Sequence, residues 1–502
     1  DQEIHDFWVD ISGEDGFAGM AKPTSPMPML ILGGKGSGKT HLMRHFSYPL
    51  QRIQHSENVI AGIQSDGYLG IYYRCGGLNS HRFSGKGQPD KTWVEVFAYY
   101  MELLFGQLVL DTVIDLYGDS EELKNKEAAL CADICALFDA IEPHSLVSLQ
   151  SVCDHLNDLR RRLDTAVNNC AITTDRLELK ISVSRGRLVF GMPRVFSKHL
   201  TMLKEVLYVY LIDEFENLTE SQQKHINTLY REKERPCSFK IGARLYGVRT
   251  YSTYSADEDN KEGSEFDRLW LDSRLRNNKT YQTFARKLIV RRLIEHGYLP
   301  SINGSQESMV QSLETFFENP SSSDLAQEET AYVLDKYKGR ERPYFRSLRQ
   351  KLETGLKSHV TPGVTASAQF AQIINALQCP DVPLLEKANI FLLYKDWNSR
   401  KDLVQAAKTI AAECHAYAQG DRKGRHTETI KHFKADLLAQ LSRECDQKQR
   451  YRGIDTIIDM SWGLPRNLLV LLKCTFSWAV FSGEQPFREN AISTQAQAKG
   501  IA

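Results

Sequence analysis

The chain has 502 residues, 42% hydrophobic and 10% aromatic, enough to bury more than one core, so two or three domains are expected and large-scale disorder is excluded. Lys plus Arg and Asp plus Glu both number 63, and this zero formal net charge excludes a global electrostatic footprint for nucleic acid or an anionic membrane. No apolar run approaches the roughly 18–20 residues of a membrane span. The N-terminus DQEIHDFWVD lacks the basic-then-apolar order of a signal peptide, so the chain reads as cytoplasmic. It begins without Met and ends STQAQAKGIA, which marks it as a candidate piece of a longer polypeptide. The ten cysteines form no C-x-x-C pair and read as reduced thiols, several of them in cores. Metal or redox chemistry is the lesser reading at Cys131 and Cys135, which share a helical face, and at Cys414 beside His415.

The first informative stretch is MPMLIL, a short apolar run that predicts a buried strand, followed by GGKGSGKT at residues 33–40. This fits G-x-x-x-x-G-K-[ST], a phosphate loop whose backbone N–H groups converge on phosphate oxygens only where side chains are absent. Gly33, Gly34, Lys35, Gly36, Ser37 and Gly38 form the predicted cradle. Lys39 would reach the β- and γ-phosphates of ATP, and the Thr40 hydroxyl would ligate Mg²⁺. THLMRHFSY has helical spacing and places a helix N-terminus at the phosphates.

About 170 residues then separate this loop from the next motif. GYLGIYYRCGGLNSHRFSGKG predicts a strand and an irregular loop, with a helix opening near KTWVEVFAYYMELLFGQLVLDTVIDL. SGKGQPDK lacks a preceding buried strand and reads as a surface turn. Leu146, Leu149, Val152, Leu156, Leu159 and Leu163 recur at spacings of three and four, the stripe of an amphipathic helix. Arg160, Arg161 and Arg162 point around that helix and read as a solvated basic turn rather than a phosphate patch. LELKISVSRGRLVFG alternates in a way that predicts a β-hairpin.

EVLYVYLIDEFENL, residues 205–218, is an apolar β-prone run ending in two acids. In a P-loop fold that end of the strand faces the loop, so Asp213 can hold Mg²⁺ through water and Glu214 can polarise an attacking water. Glu216 has the plainer reading of an acid at a helix start. A helix, ESQQKHINTLYREKE, and a strand, SFKIGARLYG, follow; then come a polar acidic loop at residues 249–264 and a fifth strand in FDRLWLDSRL. TYQTFARKLIVRRLIEHGYL opens a helical region that includes a Pro-Ser-Ser-Ser linker and YKGRERPYFRSLRQKL. Basic and aromatic residues interleave in the latter, making it the best candidate nucleic-acid contact in the chain, against the plainer reading of a solvated helix. In SWGLPRNLL, Gly463 ends one helix, Pro465 fixes the first turn of the next, and Arg466 sits at its positive end. A phosphate or a carboxylate nearby would relieve that conflict.

The order GGKGSGKT, LIDEFENLTESQQKHINTLYRE, SFKIGARLYG and SWGLPRNLL resembles AAA+ ATPases of the initiator (origin-recognition) clade and the related STAND ATPases. The resemblance implies an α/β fold with a P-loop AAA+ core on a parallel sheet, large helical insertions and an enlarged helical lid. It implies a core at residues 1–295 with an insertion at about 95–200, and a lid region at 296–502. SFKIGARLYG stands where the family has its sensor 1 strand, but the small polar residue usual at that strand's end is missing, and Arg244 is the candidate. GLPR resembles the sensor 2 motif, which puts a γ-phosphate contact on Arg466. Arg249, Arg268, Arg274 and Arg276 lie where initiator-like ATPases keep an arginine finger. No Ser-Gly-Gly signature precedes the acidic strand, against an ABC-type ATPase. The implied function is an ATPase, ATP + H₂O to ADP + phosphate, with catalytic Glu214, Lys39 and Arg466, which couples nucleotide state to homo-oligomerisation and control of a protein effector. DEFENLT and IGARLYG resemble stretches of bacterial defence-operon ATPases, which points to anti-phage defence. The alternative is a DNA-binding initiator or loader, for which only about 30 residues remain after GLPRNLL, too few for a winged-helix domain.

Overall fold

Five short apolar runs become the strands of one parallel sheet: β1 (Met29–Leu32), β2 (Tyr68–Arg74), β3 (Leu207–Asp213), β4 (Cys237–Ala243) and β5 (Asp267–Trp270), in the order β2-β3-β4-β1-β5. The computed structural model describes residues 1–11, 16–118, 120–139, 145–170, 177–255, 258–276, 278–299, 306–319, 330–355, 366–399, 401–445, 451–488 and 490–502. The expected Pro-Ser-Ser-Ser linker lies outside them. β1 is buried along its whole length because it is flanked by β4 and β5 in register, Met29 opposite Lys240 and Asp267. A strand covered on both faces needs a continuous apolar run rather than alternation, and MLIL supplies one. The α/β class with a parallel sheet is therefore as expected.

The long connection between β2 and β3 carries the helices Asp90–Tyr117, Glu121–Cys135, Leu149–Asn169 and Arg187–His199. The first has 18 of its 28 residues buried, on all sides of the helix, so its sequence shows no amphipathic period. By length and composition it could cross a membrane, which the reading of apolar runs had not registered; 78% of its most apolar window is buried inside the protein. The predicted leucine stripe is confirmed, with Leu149, Val152, Leu156 and Leu163 buried. Arg161 and Arg162 are exposed and paired with Asp158, as expected of a solvated basic turn, whereas Arg160 is half-buried with its guanidinium over the Tyr100 ring.

The hairpin expected in LELKISVSRGRLVFG does not form. Residues 177–184 are irregular and Arg187–His199 is a helix. The reason lies 85 residues upstream: buried Glu102 accepts the N–H groups of Gly186 (2.6 Å), Leu188 (2.9 Å) and Val189 (3.2 Å), satisfying the orphan donors at the helix start. Alternation in the sequence is overridden by that distant carboxylate.

The chain divides into two compact units, residues 1–313 with 455–473, and residues 314–454 with 474–502. The sheet belongs to the first. In the second, the helices Pro343–Gly355, Ala366–Leu377, Pro383–Asn398, Leu403–Ala418 and Arg425–Glu444 pack around Leu348, Ile373, Leu393, Ile410 and Leu441. Buried Glu386 there accepts hydrogen bonds from Arg342 and Tyr344. Tyr344 and Phe345, two of the three aromatics of YKGRERPYFRSLRQKL, are each 2% exposed, and the third, Tyr337, is half-buried. A stacking platform for bases needs exposed rings, and Tyr344 and Phe345 instead pack into the helical core.

Candidate nucleotide site

All five strands point their carboxyl ends at one edge of the sheet, where ligands of open α/β sheets bind. A cavity of about 660 Å³ opens there, lined by the phosphate loop, Arg74, Asp213, Glu214, Glu216, Arg244 and Arg466. The sequence-predicted residues are thus brought together, although up to 433 positions separate Gly33 from Arg466.

Within the loop, Gly33 N–H donates to Ala243 O (3.2 Å), and the buried Ser37 hydroxyl donates to Gly34 O (3.0 Å). Gly36 has φ +92°, and a Cβ there would lie 2.6 Å from Arg466 Cβ, so only glycine lets the lid segment approach this closely. Gly38 caps the helix Lys39–His45, and Lys35 and Thr40 face the cavity. The Lys39 ammonium donates to Gly33 O (2.7 Å) and Gly34 O (3.0 Å). Burial depresses its pKa, against the pull of the Glu216, Asp272 and Asp213 carboxylates. A half-buried cation resting only on the loop's own carbonyls is the arrangement an incoming phosphate can take over.

Asp213 is 1% exposed at the end of β3; Tyr72 donates its hydroxyl to Oδ2 (3.1 Å), and Glu214 N–H donates to Oδ1 (2.8 Å). Glu214 is left-handed at φ +56° and pairs with Arg74 at the end of β2. Glu216 is an ion-pair partner rather than a free acid. Its Oε1 lies 3.0 Å from Arg244 Nε and its Oε2 accepts the Arg244 N–H, so the expected sensor 1 arginine is tied to the acidic turn at the cavity wall. Arg466 N–H donates to Gly36 O (3.3 Å), while its exposed guanidinium has no hydrogen-bond or carboxylate partner among the described residues. A structural ion pair therefore does not account for it. Of the four candidate finger arginines, Arg249 donates to Glu216 O and Arg268 pairs with Glu262; Arg274 and Arg276 are exposed, with no side-chain partner among the described residues.

Several site residues carry no signal in the sequence pattern. Asp272, just past β5, accepts the Gly34 N–H at 2.7 Å, and its Oδ1 is buried without a partner. Trp8 stacks on His45 (3.5 Å between centroids) and His41 (5.7 Å), both rings at 5°. Burial lowers His41 to about 4 and His45 to about 3, so both are neutral at pH 7. Trp8, His41, Phe284, Leu288 and Leu469 also line the cavity and supply apolar surface suited to a planar base. Only the aromatic pair Phe7-Trp8 ahead of the first strand could have hinted at it.

The loop cradle, the carbonyl-bound lysine, the paired acids and the lid arginine fit a nucleoside triphosphate, and Thr40 and Asp213 carry the oxygens that would hold a Mg²⁺ ion. Fold and site define a P-loop ATPase of the AAA+ class. The chain belongs to the ORC-CDC6-like family, whose model matches residues 1–502. Neither the comparison with curated proteins nor that with solved structures returned a match.

Proposed function

We propose that the chain is an ATP-hydrolysing molecular switch that couples its nucleotide state to assembly with further copies of itself and to control of a protein effector. The observation that supports it most is the meeting of Lys39, Asp213, Glu214 and Arg466 on one cavity, with the Arg466 guanidinium lacking a partner among the described residues. Lys39 leaves the Gly33 and Gly34 carbonyls to hold β- and γ-phosphate oxygens. Asp213, kept in place by Tyr72, and Thr40 would hold Mg²⁺, which would supply charge neutralisation at the phosphates. Glu214, once released by Arg74, accepts hydrogen bonding from the attacking water, and Arg466 reports the γ-phosphate to the lid helix Pro465–Phe481. A bacterial defence setting rests on the resemblance of DEFENLT and IGARLYG alone.

Replacing Glu214 by Gln keeps size and removes the charge, so ATP should bind and persist. Sedimentation of Glu214→Gln with ATP and Mg²⁺, beside wild type with ATP and with ADP, should show a long-lived ATP-dependent oligomer. A single mass independent of nucleotide, with hydrolysis lost, refutes the assembly switch while leaving the ATPase; hydrolysis unchanged removes Glu214 from the mechanism.

A further inference from the structure

The peptide unit between Gly33 and Gly34 is held on both edges by opposite charges. Its carbonyl accepts a hydrogen bond from the Lys39 ammonium at 2.7 Å, and its N–H donates to Asp272 Oδ2 at 2.7 Å. In a trans peptide these two groups point to opposite sides, so each end of the peptide dipole faces the charge it favours. Asp272 reaches the loop because β5 runs beside β1, with Trp270 opposite Leu32. The chain leaving β1 becomes the loop, and the chain leaving β5 becomes the helix Leu271–Leu275, anchored by Leu271 and Leu275, each 1% exposed. Gly33 and Gly34 leave room for the approach: an added Cβ would lie 3.0 Å from Oδ1 at Gly33 and 3.3 Å from Oδ2 at Gly34.

Asp272 serves neither as a helix cap nor as an ion-pair partner. Its five-residue helix begins after Trp270 without a side-chain cap, and its carboxylate makes no ion pair among the described residues. Its backbone carbonyl accepts the Arg276 N–H at 2.9 Å, and Arg276 lies against the turn before the helix Pro465–Phe481, where a Cβ at Gly463 would stand 3.3 Å from its backbone nitrogen. Arg466, three residues on, donates its N–H to Gly36 O. Asp272 therefore closes a ring of contacts that starts and ends on the phosphate loop. Its charge and its hydrogen bond act in opposite senses: a carboxylate beside the loop repels polyphosphate, so only the bond to Gly34 can favour binding.

We propose that Asp272 is a positioning residue of the nucleotide site, fixing the orientation of the Gly33–Gly34 peptide while Lys39 exchanges that peptide's carbonyl for phosphate oxygens. This role rests on the reading of the cavity as an ATP site. Once the ammonium leaves Gly33 O, the bond from Gly34 N–H to Asp272 is what still holds the peptide. Without it the peptide is free to rotate, and the cradle has to be reordered by each nucleotide that binds. ADP and ATP both bear this loss, because the loop holds phosphates they share. The hydrolytic step at Glu214 does not.

The test is equilibrium binding of ADP and of a non-hydrolysable ATP analogue with Mg²⁺, beside steady-state ATP turnover, for the full chain carrying Asp272→Asn or Asp272→Ala. Asn keeps a carbonyl oxygen for the Gly34 N–H and drops the charge, so its affinity should equal or exceed that of wild type. Ala drops both, and should bind ADP and the analogue at least about five-fold more weakly than the Asn variant, raising KM while kcat stays within about two-fold. Asp272→Glu keeps the charge and displaces the oxygen by one methylene; it should lose affinity as Ala does, and it supplies the comparison if the Ala chain does not fold. Equal affinities in the Asn and Ala variants overturn the positioning role, whether both match wild type or both fall with the charge. A wild-type chain that binds neither nucleotide overturns the ATP-site reading itself, and the role of Asp272 with it.

Discussion

The Arg74 guanidinium and the Glu214 carboxylate form an ion pair at 2.7 Å, across neighbouring strand ends and 140 residues of sequence. Asn217 donates to the other carboxylate oxygen at 3.2 Å, and a Cβ at Gly76 would lie 2.1 Å from it. Glu214 is therefore turned towards the end of β2, and the proposed mechanism has it leave Arg74 before it acts on water.

Removing that restraint should release the acid. An exposed ion pair is worth up to about 1 kcal/mol, so Arg74→Ala should raise basal ATP turnover by up to about five-fold with KM for ATP nearly unchanged. Glu214→Gln should lower it roughly 10²- to 10⁴-fold. Steady-state kinetics of the two variants separate restraint from catalysis: a loss in Arg74→Ala comparable to that in Glu214→Gln shows that Arg74 assists the reaction.

Arg466 contacts the loop through its backbone, and its guanidinium has no partner among the described residues. Arg466→Ala should slow hydrolysis by about ten-fold or more while leaving ADP affinity within about two-fold, because the terminal phosphate alone loses a partner. Calorimetric titration with ADP and with a non-hydrolysable ATP analogue measures both. Equal losses for the two ligands show that Arg466 holds the loop rather than the γ-phosphate.

The phosphate loop and the acidic strand were legible because each is a contiguous stretch whose chemistry is written in consecutive residues. Arg74, Tyr72 and Asp272 were not, since they reach the site only through the order of the sheet, β2 beside β3 and β5 beside β1. Likewise the helix Arg187–His199 was hidden by a cap supplied from Glu102, whereas the helix Asp90–Tyr117 was legible from its long apolar run even though burial on all sides erases the periodicity that marks a surface helix.

That cap makes a stability prediction. In Glu102→Gln an NH₂ group must face N–H donors of Gly186, Leu188 or Val189, leaving at least one buried donor unsatisfied at a cost of about 1–3 kcal/mol. Urea unfolding should show a lower midpoint. An unchanged midpoint contradicts the capping role.

Acid should destabilise the protein through buried histidines. Burial lowers His225 to about 3, as it lowers His45, and His41 to about 4, from an ordinary 6.5. The unfolded chain thus binds protons that the folded one refuses, and stability is lost as pH falls below about 6.5. Glu102, raised to about 7 by burial, works the other way and loses its contribution as pH rises from about 4.5 to 7; Glu232 and Glu386, which burial also raises, act with it, and His155, which burial lowers, acts with the histidines. Neither ring nitrogen of His225 has a partner among the described residues, so His225→Leu should flatten the acid limb of the melting temperature against pH. An unchanged slope shows that His225 does not set it.

The claim on which the rest depends is that residues 33–40 cradle the phosphates of ATP, with Lys39 as their cation. Equilibrium binding of ATP with Mg²⁺ to wild type and to Lys39→Ala tests it most directly. The account predicts saturable one-to-one binding to the wild-type chain and a loss of at least about 100-fold in the variant, with its fold preserved by circular dichroism. Wild-type affinity in Lys39→Ala, or no binding by the unsubstituted chain, contradicts it.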